Sequence, residues 1–203
     1  MKQLLYSLFA AVLILSCTSK PTFTIQGSLP SKKYDGKMIY LVPVKNPDAT
    51  NVDSFIIKDG KFEFKGNTER MSIIRMAPLY RLEMQELLVV TEKGVIKVSI
   101  DSNSVAKGTP QNAALQQWKD KQMQFLRFNN KARIALDKKC SKLDSVVWKV
   151  KVDSANQSVK ELGIKLMKVQ KNNTIGQFFY EMYSPYLTAK DKATLAPIFE
   201  KKK

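Results

Sequence analysis

The sequence predicts an α+β protein: an N-terminal antiparallel β-sandwich of about seven strands followed by a C-terminal helical segment. Three observations predict this. Short apolar or alternating runs recur between positions 23 and 108, punctuated by Gly, Asp, Asn and Pro. Within them, Val52 to Gly66 has the pattern of a hairpin around Asp59-Gly60. From Gln111 to Leu162 there is no Gly and no Pro, and apolar residues recur at three-four spacing.

Residues 1–16 read as a signal peptide. Lys2 gives a positive start, and Leu4 to Leu15 is an uncharged apolar run. That run is too short to span a bilayer, which takes about 20 residues, but it suits the core of a secretory signal. It ends Ile14-Leu15-Ser16-Cys17, which resembles the lipobox of bacterial lipoproteins. The resemblance implies that Cys17 becomes the lipidated first residue, giving stable anchoring by several acyl chains. Thr18, not Asp, follows the cysteine, which by the same resemblance favours the outer membrane, and no acidic run follows it, so the body is expected to face the periplasm. Residues 17–22 form a short tether stiffened by Pro21. Thr18 to Thr22 reach roughly 17 Å at about 3.3 Å per residue.

Residues 23–108 form the β-sandwich domain. Phe23 to Ile25 alternates and stops at Gly27. Met38 to Val44 is β-rich, and Pro43 argues for an edge or bulge near its end. Asp59-Gly60 has the chemistry of a type I′ turn. Closing the hairpin there sets Ile57 opposite Phe62 and Phe55 opposite Phe64, so these four side chains form one apolar patch. Ile56 falls on the other face. Met71 to Met76 and Leu87 to Thr91 are further strands. After the turn Glu92-Lys93-Gly94, Val95 to Ile100 alternates strictly.

Gly27, Met38-Ile39-Tyr40-Leu41, Asp53-Ser54, Asp59 to Gly66, Glu92-Lys93-Gly94, Gly108-Thr109 and Asn112 stand in the order and spacing of a known pattern. Together they resemble the domain of unknown function found N-terminal to thioredoxin-like, peroxiredoxin-type domains in envelope lipoproteins. The resemblance covers roughly residues 23–125. It implies a fold rather than a chemistry, because its motifs are turn and core residues. In such relatives a helical linker precedes the thioredoxin-like domain. There is no Cys-x-x-Cys here, so that domain's redox residues have no positions to be carried onto.

Residues 109–203 are read as helical. Thr109 caps the start and Pro110 occupies the first turn. Leu115, Trp118, Phe125, Ala132, Leu136, Leu143, Val146 and Val150 follow one helical stripe, with Asn129-Asn130 as a candidate break. Val146 to Val152 also fits a strand pattern. A second helix is expected over about Asp153 to Lys171, with Val159, Leu162, Leu166 and Val169 inward. Ile175, Phe178, Phe179, Met182 and Tyr183 mark a third that ends before Pro185. Thr188-x-x-Asp191 signals a short fourth.

Composition narrows the chemistry. The formal charge is +16 and there is no histidine. From Gln111 onward 19 Lys and Arg stand against 8 Asp and Glu. The basic half lacks interleaved surface aromatics and any nucleic-acid module, so nucleic acid is not an expected partner. It reads as a solvated surface, with weak contact to anionic lipid head groups as the functional alternative. Cys17 and Cys140 are too few for a disulfide framework or a cysteine metal site. Cys140 lies between Leu136 and Leu143 on the stripe, where a free cysteine acts as a small hydrophobe. Glu83 and Glu86 read as surface charge, and the glycines form no phosphate loop. No catalytic, cofactor-binding or metal-ligating residue is marked.

The expectation is therefore a non-enzymatic, lipid-anchored cell-envelope protein with a binding or scaffolding role and an envelope protein as partner. Two alternatives stand beside it. One is an accessory subunit for a separate thioredoxin-like oxidoreductase. The other is a small-ligand carrier, which needs a pocket between sheet and helices.

Overall fold

The computed structural model describes residues 21–77, 83–137 and 142–200. Cys17, Cys140 and the signal segment lie outside them. Eight strands form two four-stranded sheets: β1 (Phe23–Ser28), β2 (Met38–Pro43), β3 (Asp53–Ile56), β4 (Lys61–Gly66), β5 (Met71–Ala77), β6 (Leu87–Val90), β7 (Gly94–Ser99) and β8 (Val105–Lys107). One sheet has the order β4-β1-β7-β8 and the other β3-β2-β5-β6. Neighbouring strands are antiparallel except β1 and β7, which run parallel with Ile25 opposite Ile96. The expected antiparallel sandwich thus contains one parallel pair. β8 was not foreseen, because three residues are too few to show alternation.

The Val52–Gly66 stretch is a corner rather than a two-stranded hairpin. Asp59 (φ 53°) and Gly60 (φ 65°) make the expected turn with left-handed backbone at both positions. Lys58 and Lys61 exchange backbone hydrogen bonds of 3.1 and 2.9 Å. The Asp35 carboxylate accepts the N–H groups of Asp59 and Gly60 at 3.0 and 2.8 Å. Beyond this bridge the arms part. The Ile57 N–H donates to Lys37 and its carbonyl accepts from Gly36, while Phe62 pairs with Gly27 on β1. β3 therefore joins one sheet and β4 the other.

The apolar patch survives this correction because the two sheets face each other. Ile57, Phe62 and Phe64 are buried, and Phe55 packs against them. The Phe55 and Phe64 rings meet edge-on at 6.4 Å, across the sandwich instead of along it. Ile56 points outward as expected. Pro43 sits where β2, central in its sheet order, has become an edge on one side, as expected. β3 extends only as far as Leu41, so the proline nitrogen faces a side with no strand opposite it.

Four helices follow: α1 (Pro110–Asp137), α2 (Lys142–Val169), α3 (Thr174–Tyr183) and α4 (Ala189–Phe199). The single stripe from Leu115 to Val150 belongs to two antiparallel helices. α1 runs through Asn129-Asn130 unbroken, since asparagine costs a helix only a few tenths of a kcal/mol (about 0.5). Val146 to Val152 lies within α2, not in a strand. Thr188 caps α4 by accepting the Asp191 N–H at 3.1 Å.

A second core forms where β6 meets the helices. Val90, Leu115, Leu166, Met167, Ile175, Phe179, Tyr183, Leu195 and Phe199 are buried there. Ala132 and Val159 are buried as expected, but Leu136, Val146, Val150 and Val169 are exposed. Topology explains the exposure of Leu136, Val146 and Val150. The Gly94 N–H donates to Thr22, and Thr109 Cγ2 lies 3.1 Å from where a Gly94 Cβ would stand. The chain thus enters the sandwich at the end where α1 begins. α1 then runs toward the opposite end, where Lys119 Nζ donates to the Ser104 carbonyl. A six-residue strand is about 20 Å long and a helix of this length about 42 Å. The far half of the α1–α2 hairpin therefore projects beyond the sandwich, opposite to the end where Thr22 leads into β1.

Candidate functional site

The residues of the sequence pattern converge on the junction between sheet and helices. Asn112 is fully buried in the first turn of α1. Its Oδ1 accepts the Val90 N–H at 2.9 Å, and its Nδ2 donates to the Val90 carbonyl at 2.8 Å. Nδ2 also donates to Thr109 Oγ1 at 2.9 Å. The buried Glu92 carboxylate accepts the Asn112 N–H at 2.9 Å, so it caps the helix in place of the expected threonine hydroxyl. A negative group at a helix N-terminus is favoured by the helix dipole. The Asn112 amide oxygen and nitrogen both find partners within the cluster.

A second polar link lies beside it. Gln111 Nε2 and Thr174 Oγ1 both donate to Glu69 Oε1, at 2.8 and 2.7 Å. Gln111 Oε1 accepts the Ile175 N–H at 3.0 Å at the start of α3. Trp118 Nε1 donates to Tyr183 Oη at 2.7 Å. These contacts were not legible in sequence: Glu69 and Thr174 are more than a hundred positions apart. The signal in the sequence was the place of Glu92, Thr109 and Asn112 in the quoted pattern.

Glu83 and Glu86 do not act as a carboxylate pair. Glu83 accepts from Lys33 Nζ at 2.8 Å and from Tyr34 Oη, and Glu86 pairs with Arg75 at 3.1 Å. The Lys33 ammonium and the Tyr34 hydroxyl hold the Glu83 carboxyl below its ordinary value, and both glutamates are exposed. Among the described residues no group of His, Cys, Asp and Glu is placed to hold a metal ion, and no helix is long and apolar enough to cross a membrane.

Two concave surfaces remain. A cavity of about 230 Å³ lies between β6, β8 and α1, lined by Gln85, Leu88, Ala106, Trp118, Lys119 and Met123 among others. Burial pushes the Lys119 ammonium below its ordinary value. Small-molecule sites usually measure about 300–1,000 Å³, so this cavity is small for a carrier. A longer, more open groove follows α1 and α2. Its far part has about 570 Å³ between Phe125 and Phe128 on α1 and Val150 and Ala155 on α2.

The strands, the corner and the buried Glu92–Thr109–Asn112 junction all lie within one matched segment. Residues 23–115 match the family model described as domain of unknown function DUF4369. The match ends three residues after Asn112 and covers both sheets and the first turns of α1. The DUF4369 segment thus includes the polar junction, while nearly all of the helical segment lies beyond it. The resemblance to a domain found before thioredoxin-like domains holds for this segment. No curated protein and no solved structure matches the chain.

Proposed function

We propose that this protein is a lipid-anchored cell-envelope protein with a non-catalytic binding or scaffolding role. The observation that carries the role is the bonding of the DUF4369 pattern residues. Asn112 and Glu92 join the first turn of α1 to β6 and the turn after it, and Thr109 accepts a further hydrogen bond from Asn112. A reacting group needs an open position and an approach path. These residues hold two parts of the body together instead.

Anchoring is supported by Leu4 to Cys17, and localisation by Thr18, which points to the outer membrane, and by the lack of an acidic run after it, which points to a body facing the periplasm. Thr22 leads into β1 at the end opposite to the hairpin tip. Contact between the basic helices and anionic head groups of the same membrane therefore requires the body to lie lengthwise on it. Exposed charges there are screened over about 8 Å at physiological ionic strength, so that contact is weak and salt-sensitive.

The test is Cys17→Ala. Loss of acyl labelling with release from envelope membranes is expected. Equal membrane retention of the variant would overturn the anchor. Isolation of the anchored protein with a thioredoxin-like oxidoreductase in fixed ratio would replace scaffolding by the accessory role.

A further inference from the structure

We infer that the outer groove of the α1–α2 hairpin is a docking site for an acidic amphipathic helix of another protein. The inference rests on the binding or scaffolding reading and names its surface.

Two contiguous depressions of about 570 and 530 Å³ share Lys121, Gln124 and Ser158 along one side of the hairpin. The far depression has an apolar floor of Phe125, Phe128, Val150 and Ala155. Lys121 stands on its α1 rim and Lys151 on its α2 rim. Among the described residues neither lysine is in an ion pair; Lys151 sits 5.7 Å over the Trp148 ring. The near depression carries the acids Asp120 and Glu161 together with Lys165. From Gln117 to Phe128 the groove follows α1 for about 16 Å, at 1.5 Å per residue. That is the length of three helical turns. A groove between two antiparallel helices receives a third by interdigitation of side-chain ridges, and such grooves bind amphipathic helices through apolar anchors at i, i+3 and i+4.

Charge selects the occupant. The residues lining the far depression include two cations, Lys121 and Lys151, and no carboxylate. A helix with an apolar ridge and carboxylates on both flanks would place the ridge on Phe125 and Phe128 and the carboxylates beside Lys121 and Lys151. A second copy of this chain does not fit. Its helices are themselves basic, and like charges brought together at an interface oppose association. The overhang adds access: Val146 and Val150 are 58 and 62% exposed, and the sandwich ends before reaching them.

The probe is a synthetic helical peptide of about 15 residues with a leucine ridge and glutamate flanks, long enough for four turns. Its control carries lysine at the glutamate positions. The full chain is held in nanodiscs of zwitterionic lipid, and binding is read by anisotropy of the labelled peptide. Saturable one-to-one binding of the glutamate peptide is expected, at least about tenfold tighter than the lysine peptide, a gap one well-placed charge pair can supply. Lys121→Glu with Lys151→Glu should reverse that preference, and Ser154→Trp, which fills the groove from an exposed position, should abolish binding of both peptides. Both variants must keep the thermal unfolding of the parent. Absence of binding, equal binding of the two peptides, or binding untouched by the variants would overturn the proposal. So would binding to anionic vesicles that the charge reversal abolishes while the peptide fails to bind, since the groove would then serve a lipid surface. Loss of acyl labelling at Cys17 is scored separately, so failure of the anchor and failure of the groove are distinguishable.

Discussion

Asn112 pairs with Val90 as a neighbouring strand would, giving one acceptor and one donor to the same residue's backbone. β6 is an edge strand, and its outer side carries backbone groups that a buried edge cannot leave unpaired. The first turn of α1 supplies those partners from a side chain. The helical segment is thereby joined to the sandwich through hydrogen bonds as well as through apolar packing.

Asn112→Leu should be strongly destabilising. It leaves the Val90 N–H and carbonyl buried without partners, at about 1–3 kcal/mol for each unsatisfied group. Urea unfolding should show a midpoint lowered accordingly. A change below about 0.5 kcal/mol, the range of ordinary surface substitutions, would show that water or another group replaces the amide.

Phe62→Ala and Phe64→Ala should each cost about 3–5 kcal/mol, because both rings are buried between the sheets. Ile56→Ala should cost little, since Ile56 is exposed on β3. Similar losses at Ile56 and Phe64 would contradict the division of the corner between two sheets.

Gly27 faces the core opposite Phe62, and a Cβ there would stand 1.9 Å from Phe62 Cζ. Gly27→Ala must therefore displace the ring, with an expected cost of about 1–3 kcal/mol from overpacking. Combining it with Phe62→Leu should cost less than the two single changes added together, because the residues share one space. Strict additivity in unfolding experiments would mean that the ring does not lie over the glycine.

Acid should weaken the fold through a small set of carboxylates. Lys168 Nζ donates to Asp191 at 2.7 Å and holds its carboxyl below the ordinary value of 3.8. Lys32 does the same for Asp59, and Lys33 with Tyr34 for Glu83. A depressed folded pKa contributes stability that is complete above the unfolded value and is lost as pH falls through the folded one. Tm should thus fall as the pH drops below about 4, and Asp191→Asn should make that fall shallower. An identical acid profile in the variant would remove Asp191 from the account.

No thiol redox activity is expected. Disulfide exchange needs an accessible thiolate and usually a second thiol to resolve the mixed disulfide. With Cys17 acylated, Cys140 stands alone. Insulin reduction should be absent. Rapid maleimide labelling with reductase turnover, both lost in Cys140→Ser, would refute the non-catalytic proposal.

The sandwich was legible because its strands alternate and its turns use residues with few conformational options. Asp59-Gly60 is the clearest case: both positions require left-handed backbone, and both adopt it. The partners of its arms were not legible. Whether Phe62 pairs with Ile57 or with Gly27 depends on the backbone groups of Gly36 and Lys37, and hairpin spacing does not report on those. The helices were legible by period, but their inward face was not uniform. Val150 continues the stripe of Leu115, yet the sandwich covers only the first half of α1. The junction was visible as a set of pattern residues, and its bonds only as geometry. The groove was unmarked, since Phe125 read as an ordinary core position.

The parallel pairing of β1 with β7 sets an order of events. On a chain that emerges N-terminus first, Ile25 meets Phe64 of β4 before Ile96 of β7 exists to flank it on the other side. The β6 edge stays open until Asn112 arrives. Through that interval Phe23 and Ile25 sit on an unfinished edge, the kind of surface that aggregates or is held by chaperones. Contacts so distant in sequence form slowly. The α1–α2 hairpin, built from local contacts, can form within microseconds of its synthesis. This later-made hairpin folds fast, and the first-made strands wait for their partners.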